Sequence, residues 1–107
     1  MTKQLRPIQD ADLVALPGAD IVRSGLKELR GDTLGESALL VLIASLRLMQ
    51  LGLEVPTRND IAGPWEHKLY SLLETTHREA AYSRYNSLLR RMASFVHCLE
   101  QQVYHAL

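Results

Sequence analysis

The sequence predicts an all-α fold: one four-helix bundle-like domain with a central apolar second helix, a long C-terminal helix and an N-terminal arm. Apolar residues recur at helical spacing through most of the chain, and glycine and proline clusters separate these stretches. The 107 residues, 47% apolar and 22% charged, suffice for one core and are too apolar for a disordered chain. We expect the arm over residues 1–18, which carry Pro7 and Pro17 without a sustained period, and the helical domain over residues 19–107.

The first helix is predicted over about residues 20–30. Asp20 is expected to be its N-cap, apolar residues then follow close to one helical face, and Gly31 offers a C-terminal stop. Gly25 inside the helix costs about 1 kcal/mol relative to alanine, unless it marks the close approach of a neighbouring helix.

The second helix is predicted over about residues 35–51 and is apolar on almost every face. Thr33 and Glu36 have the spacing of a capping box at its start, and Gly52 is placed to end it. Its main stripe has i, i+3, i+4, i+7 spacing and comprises Leu39, Leu42, Ile43, Leu46, Met49 and Leu53. The neighbouring faces carry Leu40, Val41, Leu48 and Leu51. We therefore expect a helix enclosed on several sides by the core.

Two further helices are predicted after a loop of turn-forming residues at 54–63. The third runs over about residues 64–75 and has a proline in its first turn. Thr76 and Glu79 repeat the capping-box spacing, so we place a break there and the fourth helix over about residues 78–105. The alternative is one long helix with a kink at this point.

The fourth predicted helix is long enough to suggest a homodimer. At 1.5 Å per residue it extends about 40 Å, against about 24 Å for the second helix, so part of its apolar stripe would overhang. The overhanging residues are Phe95, Leu99 and Val103. The same surface of a second copy, related by a two-fold axis, would cover them. We therefore expect the protein to self-associate through its C-terminal helix.

Charge and hydropathy exclude several classes of partner. Twelve Lys and Arg balance twelve Asp and Glu, so no net field attracts nucleic acid or an anionic membrane. The single cysteine, Cys98, excludes an intrachain disulfide and fits a reducing compartment. The longest apolar run, residues 38–44, is far shorter than the roughly 20 residues of a membrane span, and the first residues lack the apolar segment of a secretory signal. We expect a cytoplasmic protein without membrane contact.

Glu74 and His77 have the Glu-x-x-His spacing that resembles one half-site of di-iron carboxylate bundles. Such a site needs a second copy of the motif and further glutamates in the core. The expected helix break separates the two side chains, so we interpret them as solvated groups and predict no metal. No glycine-rich phosphate loop or nucleophile elbow occurs either, and we predict no cofactor.

Arg91 and His97 carry a resemblance to the Arg-x(4–6)-His signature of HEPN-type ribonucleases, all-helical proteins in which a dimer brings the two motifs together. The resemblance implies that His97 exchanges protons with a ribose hydroxyl and that Arg91 stabilises charge on the phosphate, without a metal. It covers seven residues, and Met92 stands where the signature usually has a polar residue. In the alternative interpretation Arg91 is a surface charge and His97 a polar residue on the helix face.

The first half of the fourth helix mixes aromatic and basic side chains: Tyr82, Arg84, Tyr85, Arg90 and Arg91. Such a strip can contact phosphates while tyrosines stack on bases. Tyr85, however, shares the stripe of the core leucines, which favours a solvated basic face over nucleic-acid binding. Trp65 at the start of the third helix, together with Arg84 and Arg90, is instead a candidate contact for a protein partner.

Two functional hypotheses follow from these patterns. The favoured one is a non-enzymatic small helical interaction or regulatory protein that self-associates through its C-terminal helix, because polar catalytic groups are missing from the apolar stripes. The other is a HEPN-like metal-independent ribonuclease, or an inactive relative, with Arg91 and His97 at the dimer seam.

Overall fold

The computed structural model describes residues 8, 10–31, 33–56, 58 and 63–105, and every regular element in these ranges is helical. The all-α prediction is therefore confirmed. In chain order the elements are α1 (Asp10–Leu13), α2 (Ala19–Arg30), α3 (Glu36–Ile43), α4 (Ser45–Gln50), α5 (Trp65–His77), a 3-10 turn (Arg78–Ala80) and α6 (Ala81–His105). None of these helices combines the length and apolar content needed to cross a bilayer.

The predicted arm forms a helical turn where it meets the other helices. α1 places Leu13 in the core, and the Asp10 carboxylate accepts a 2.8 Å hydrogen bond from Arg23 Nε of α2. The sequence does not predict α1, because a single turn is too short to show a helical period. Residues 1–7 and 9 of the arm lie outside the described residues.

α2 begins at Ala19, one residue before the predicted start, and its N-cap residue is Gly18, in the left-handed region at φ 81°. Asp20 is not the cap. Its two carboxylate oxygens accept hydrogen bonds of 3.3 Å from Arg91 Nη2 of α6. The N-cap prediction is wrong because Asp20 lies within the first turn, where an acid still favours the helix dipole. Gly31 follows the last residue of the helix, as predicted.

The start of α3 is capped from a different helix. Glu28 of α2 accepts hydrogen bonds at Oε1 from the backbone N–H groups of Gly35, at 3.1 Å, and Ala38, at 3.0 Å. These are the donors that a helix leaves unpaired at its N-terminus. The predicted capping box of Thr33 and Glu36 is therefore wrong, because Glu28 supplies the cap and the Glu36 carboxylate turns toward α5 and α6.

Removing this cap is expected to destabilise the fold. Glu28→Ala leaves two amide donors of α3 without their acceptor, and we expect a loss of about 1–2 kcal/mol in the free energy of unfolding. Glu28→Gln retains one oxygen and is expected to lose less. Urea denaturation followed by circular dichroism measures both, with Lys27→Ala, at an exposed neighbouring position, as the control. A Glu28→Ala protein as stable as the Lys27→Ala protein would contradict the assignment.

The second predicted helix is divided at Ala44 (φ −93°, ψ 4°) into α3 and α4. Hydrogen bonds continue across the division, from Ala44 N to Leu40 O at 3.3 Å and from Leu48 N to Ala44 O at 3.0 Å. The chain therefore bends there without opening into a loop. Gly52, at φ 99°, follows the end of α4 as predicted, and Leu53 N donates to Leu48 O at 3.0 Å around it.

The expectation that the second helix is enclosed holds only for its first half. Residues 38–42 are buried, because α3 packs against α2, α5 and α6. Leu46 and Met49, predicted as part of the core stripe, are exposed on α4. Their assignment to the core is wrong because α4 lies at the edge of this packing and only its inward face, with Leu48, is covered.

The predicted loop over residues 54–63 is described in part, since residues 57 and 59–62 lie outside the described residues. Val55 is buried, and Arg58 Nη1 donates a 3.0 Å hydrogen bond to the carbonyl oxygen of Gly31. This segment therefore returns to the end of α2. The next helix, α5, begins at Trp65, directly after Pro64.

α5 and α6 are separate helices, as predicted, and the break lies at Arg78. This residue has a positive φ of 48° and begins the single 3-10 turn that precedes α6 at Ala81. The capping box predicted at Thr76 is wrong, since the Thr76 hydroxyl donates to Leu72 O at 3.0 Å within α5. α5 accordingly continues to His77, two residues beyond the predicted end.

The C-terminal half of α6 does not overhang as predicted. Phe95 and Leu99 are fully buried, and Val103 is partly buried against the same core. The N-terminal segment covers this part of α6, where Gln102 Nε2 donates a 3.3 Å hydrogen bond to Asp12 O. The expectation that a second copy is needed to cover Phe95 and Leu99 is therefore wrong, because the same chain buries them.

Candidate functional site

Arg91 and His97, the residues that carry the ribonuclease resemblance, lie on different sides of α6. Six residues along an α-helix correspond to about 9 Å of rise and about 120° of rotation. Arg91 is bound to Asp20, while His97 Nε2 lies 3.3 Å from Gln101 Nε2 on the same helix. Both side chains are exposed. The protomer therefore does not bring this pair together.

Glu74 and His77 lie one turn apart on the continuous helix α5, so the helix break expected between them is wrong. Glu74 is exposed, whereas His77 Nε2 lies 3.0 Å from Glu36 Oε1 of α3. The other oxygen of Glu36 accepts a 3.3 Å hydrogen bond from Arg84 Nη2 of α6. Among the residues that the structure describes, no three His, Cys, Asp or Glu side chains are grouped so that they could hold a metal ion.

The Glu36 carboxylate thus joins three helices at the α5–α6 break. This role was missed from the sequence because its partners, His77 and Arg84, are 41 and 48 residues away. Arg84 was a candidate contact for a protein partner. Its guanidinium donates a hydrogen bond to Glu36. Its Nε is buried without a hydrogen-bond partner among the described residues. Arg84 is therefore better placed to hold α6 against α3 than to bind a partner.

The other two candidate partner contacts differ in exposure. Trp65 is partly buried against the core, and its Nε1 is likewise enclosed without a hydrogen-bond partner in the described part of the chain. Arg90 is exposed and lines a pocket of about 190 Å³ together with Arg91 and Gly18. Of these two, Arg90 has the accessible side chain.

The exposed apolar surface concentrates where α4 meets the end of α6. We name this surface the α4–α6 patch and define it by Leu46, Arg47, Met49, Glu100 and Tyr104. Leu46 is 69% exposed, Met49 50% and Tyr104 52%, and these are three of the five large hydrophobic side chains exposed in the described ranges. The sequence signal for this face is the pair of polar residues Arg47 and Gln50, which lie beside Leu46 and Met49 on α4.

An ion pair links the two helices of the α4–α6 patch. Arg47 Nη2 lies 2.9 Å from Glu100 Oε2, so α4 is joined to α6 at this point. The hydrogen bond with Glu100 raises the pKa of the Arg47 guanidinium above its ordinary value, and a hydrogen bond with Tyr104 acts in the same direction. The patch therefore combines exposed apolar groups with one fixed cation and one anion.

Comparison with known proteins adds no relative from which a function could be transferred. No family model, no curated protein and no solved structure matches the chain. The functional argument therefore rests on the chain's own surfaces, among them the α4–α6 patch with its three exposed large hydrophobic side chains.

Proposed function

We propose that the protein is a non-enzymatic helical interaction module that self-associates through the α4–α6 patch. The proposal rests on the exposure of Leu46 and Met49 on α4 and of Tyr104 on α6, two helices that the Arg47–Glu100 ion pair joins. Full burial of a leucine or methionine side chain is worth about 1.5–3 kcal/mol, so a partner that covers this patch gains a substantial driving force. Contiguous exposed apolar groups of this kind are typical of protein–protein contact sites.

The charges of the patch favour a second copy of the same chain as the partner. A two-fold interface places the same surface on both sides, so it must be complementary to itself. Arg47 and Glu100 give the patch one charge of each sign, 2.9 Å apart. Across a two-fold axis, the Arg47 of one copy approaches the Glu100 of the other while the apolar side chains meet. Two copies therefore attract through this surface without a net charge to repel them.

This proposal moves the interface away from two of the residues predicted from sequence. Phe95 and Leu99 are buried within the protomer and expose no side-chain surface that a second copy could contact. Val103 is partly buried next to Tyr104 and lies at the margin of the patch. We also place the module in the cytoplasm, since the thiol of Cys98 is free and fits a reducing compartment.

The proposal is tested by the substitution Leu46→Asp. We expect the wild-type chain to have twice the mass of one protomer in size-exclusion chromatography with light scattering at micromolar concentration. Leu46→Asp should weaken the dimer by more than about tenfold, because a carboxylate replaces an apolar contact in both copies. Leu46 is largely solvent-exposed, so circular dichroism should show an unchanged fold.

The matched control is Val14→Asp, which places the same charge at another exposed apolar residue outside the patch. This variant is expected to remain dimeric. Leu99→Asp is not a suitable probe, because an unpaired carboxylate at a fully buried position unfolds the protomer. A monomeric wild-type protein, or a dimer that survives Leu46→Asp combined with Met49→Asp, would exclude the proposed interface.

A further inference from the structure

The first turns of α5 and α6 form a groove that the proposed self-association does not use. It has a volume of about 530 Å³, within the range of about 300–1,000 Å³ that is usual for ligand sites. Its lining residues are Pro64, Glu66, His67, Tyr70, Tyr82 and Tyr85. We name it the tyrosine groove.

Two helix faces build the walls of the tyrosine groove. On α5, Glu66 and Tyr70 are one helical turn apart and share a face, and on α6 the same holds for Tyr82 and Tyr85. The rings of Tyr70 and Tyr85 meet edge to face, with centroids 5.4 Å apart and planes at 79°. Tyr82 is 67% exposed at the rim. The rings of Tyr70 and Tyr85 thus pack against each other in the walls of the groove, and the ring of Tyr82 lies on its open side.

The electrostatics of the tyrosine groove favour a cation. Glu66 is the one carboxylate among its lining residues, and no lysine or arginine lines it in the described part of the chain. The faces of tyrosine rings carry the negative part of the ring quadrupole, and they attract cations placed over them. A phosphate group would meet Glu66, and among the described lining residues only a protonated His67 could offset that repulsion. The groove therefore favours a cation over a nucleotide, although its rings could stack on bases.

We propose that the tyrosine groove binds an arginine side chain presented by an extended segment of a partner protein. A guanidinium is planar and weakly hydrated, so it stacks on tyrosine while its edge N–H groups donate to a carboxylate such as that of Glu66. A lysine ammonium offers no plane to stack. A free guanidinium ion fills little of 530 Å³, whereas an arginine with its neighbouring residues also covers the apolar surface of Pro64.

This site is independent of the proposed dimer. Tyr82 and Tyr104 are at opposite ends of α6, which at 1.5 Å per residue separates them by about 33 Å. A failure of arginine binding therefore leaves the self-association proposal unaffected. A failure of self-association likewise leaves the arginine proposal unaffected, because residues of one protomer form the groove.

The experiment is an NMR titration of the ¹⁵N-labelled full chain with a capped Ala-Pro-Arg-Pro-Ala peptide. The control peptide carries citrulline in place of arginine, which retains the shape and removes the charge. We expect the arginine peptide to shift the amide signals of the first turns of α5 and α6. A cation–π contact at an exposed site changes affinity by about two- to fivefold, and the citrulline peptide should bind more weakly by at least this factor.

Variants assign the binding to individual side chains. Tyr82→Ala and Glu66→Gln remove an exposed ring and an exposed charge, and each should weaken the arginine peptide by about two- to fivefold. The matched control, Glu74→Gln at an exposed position of α5, should bind as the wild type does. Equal binding of the citrulline peptide, no shift at millimolar peptide, or a stronger response of the groove to AMP would each overturn the proposal. The citrulline and AMP comparisons use the wild-type chain, so they do not depend on how any variant folds.

Discussion

Phe95→Ala is expected to lower the free energy of unfolding by about 3–5 kcal/mol, the range for removing a buried phenyl ring. Phe95 is fully buried on α6 and is among the largest enclosed side chains of the described residues. The backbone turn at Gly18 packs directly onto it, since a Cβ added to Gly18 would lie 3.4 Å from Phe95 Cβ. The cavity left by alanine therefore opens between α6 and the backbone turn at Gly18.

Urea denaturation followed by circular dichroism at 222 nm measures this loss. The matched control is Tyr82→Ala, which removes an exposed ring from the same helix and should change stability by less than about 0.5 kcal/mol. The free energy of unfolding of such a domain is about 5–15 kcal/mol, so Phe95→Ala removes a large part of it. A loss below about 1 kcal/mol would mean that Phe95 is not enclosed by the chain and would restore it as a candidate interface residue.

The sequence predicts the helices well because their signals are local. Apolar spacing identifies the positions of α2, α5 and α6, and glycine marks the two helix ends at Gly31 and Gly52. Gly52 adopts a left-handed backbone conformation in which other residues are strained. A glycine at this position therefore indicates the turn that ends the helix. The division between α5 and α6 is found within a few residues, but from the capping-box spacing of Thr76 and Glu79, which the structure does not use.

Caps and ion pairs are predicted poorly because their partners are chosen by the packed fold. Asp20 and Glu36 both fit local capping patterns worth about 1 kcal/mol, yet both bind residues of distant helices. The cap of α3 comes from Glu28, which no local motif singles out. An acceptor satisfies a distant donor as readily as a local one, so packing geometry decides between them.

The candidate interfaces and the tyrosine groove also depend on packing between distant parts of the chain, so the sequence predicts them poorly. Leu46 and Met49 were predicted as core because apolar spacing identifies a face but not whether another helix covers it. Phe95 and Leu99 were predicted as uncovered because the covering segment around α1 has no period from which its packing could be expected. The tyrosine groove needs α5 and α6 side by side. Its α6 residues stood out in the sequence, but Tyr70 did not.

Gly25→Ala tests the closest helix contact of the fold. A Cβ at Gly25 would lie 2.5 Å from the backbone oxygen of Ser37 and 2.5 Å from Val41 Cγ2. Real Cβ atoms do not approach so closely, and a backbone oxygen cannot rotate away, so α2 and α3 must separate. This confirms the interpretation that Gly25 marks the close approach of a neighbouring helix. The free energy of unfolding should therefore fall on substitution.

We expect a net loss of about 2 kcal/mol for Gly25→Ala. Overpacking costs about 1–3 kcal/mol or more, and the better helix propensity of alanine offsets about 1 kcal/mol of that. The melting temperature should fall by roughly 8–16 °C, since 1 kcal/mol corresponds to about 4–8 °C in a domain of this size. Gly31→Ala is the matched control: its added Cβ meets nothing nearer than 3.8 Å and its φ of −102° suits any residue. If Gly25→Ala instead raised the melting temperature, propensity would outweigh packing at this site, and α2 and α3 would not be locked together through Gly25.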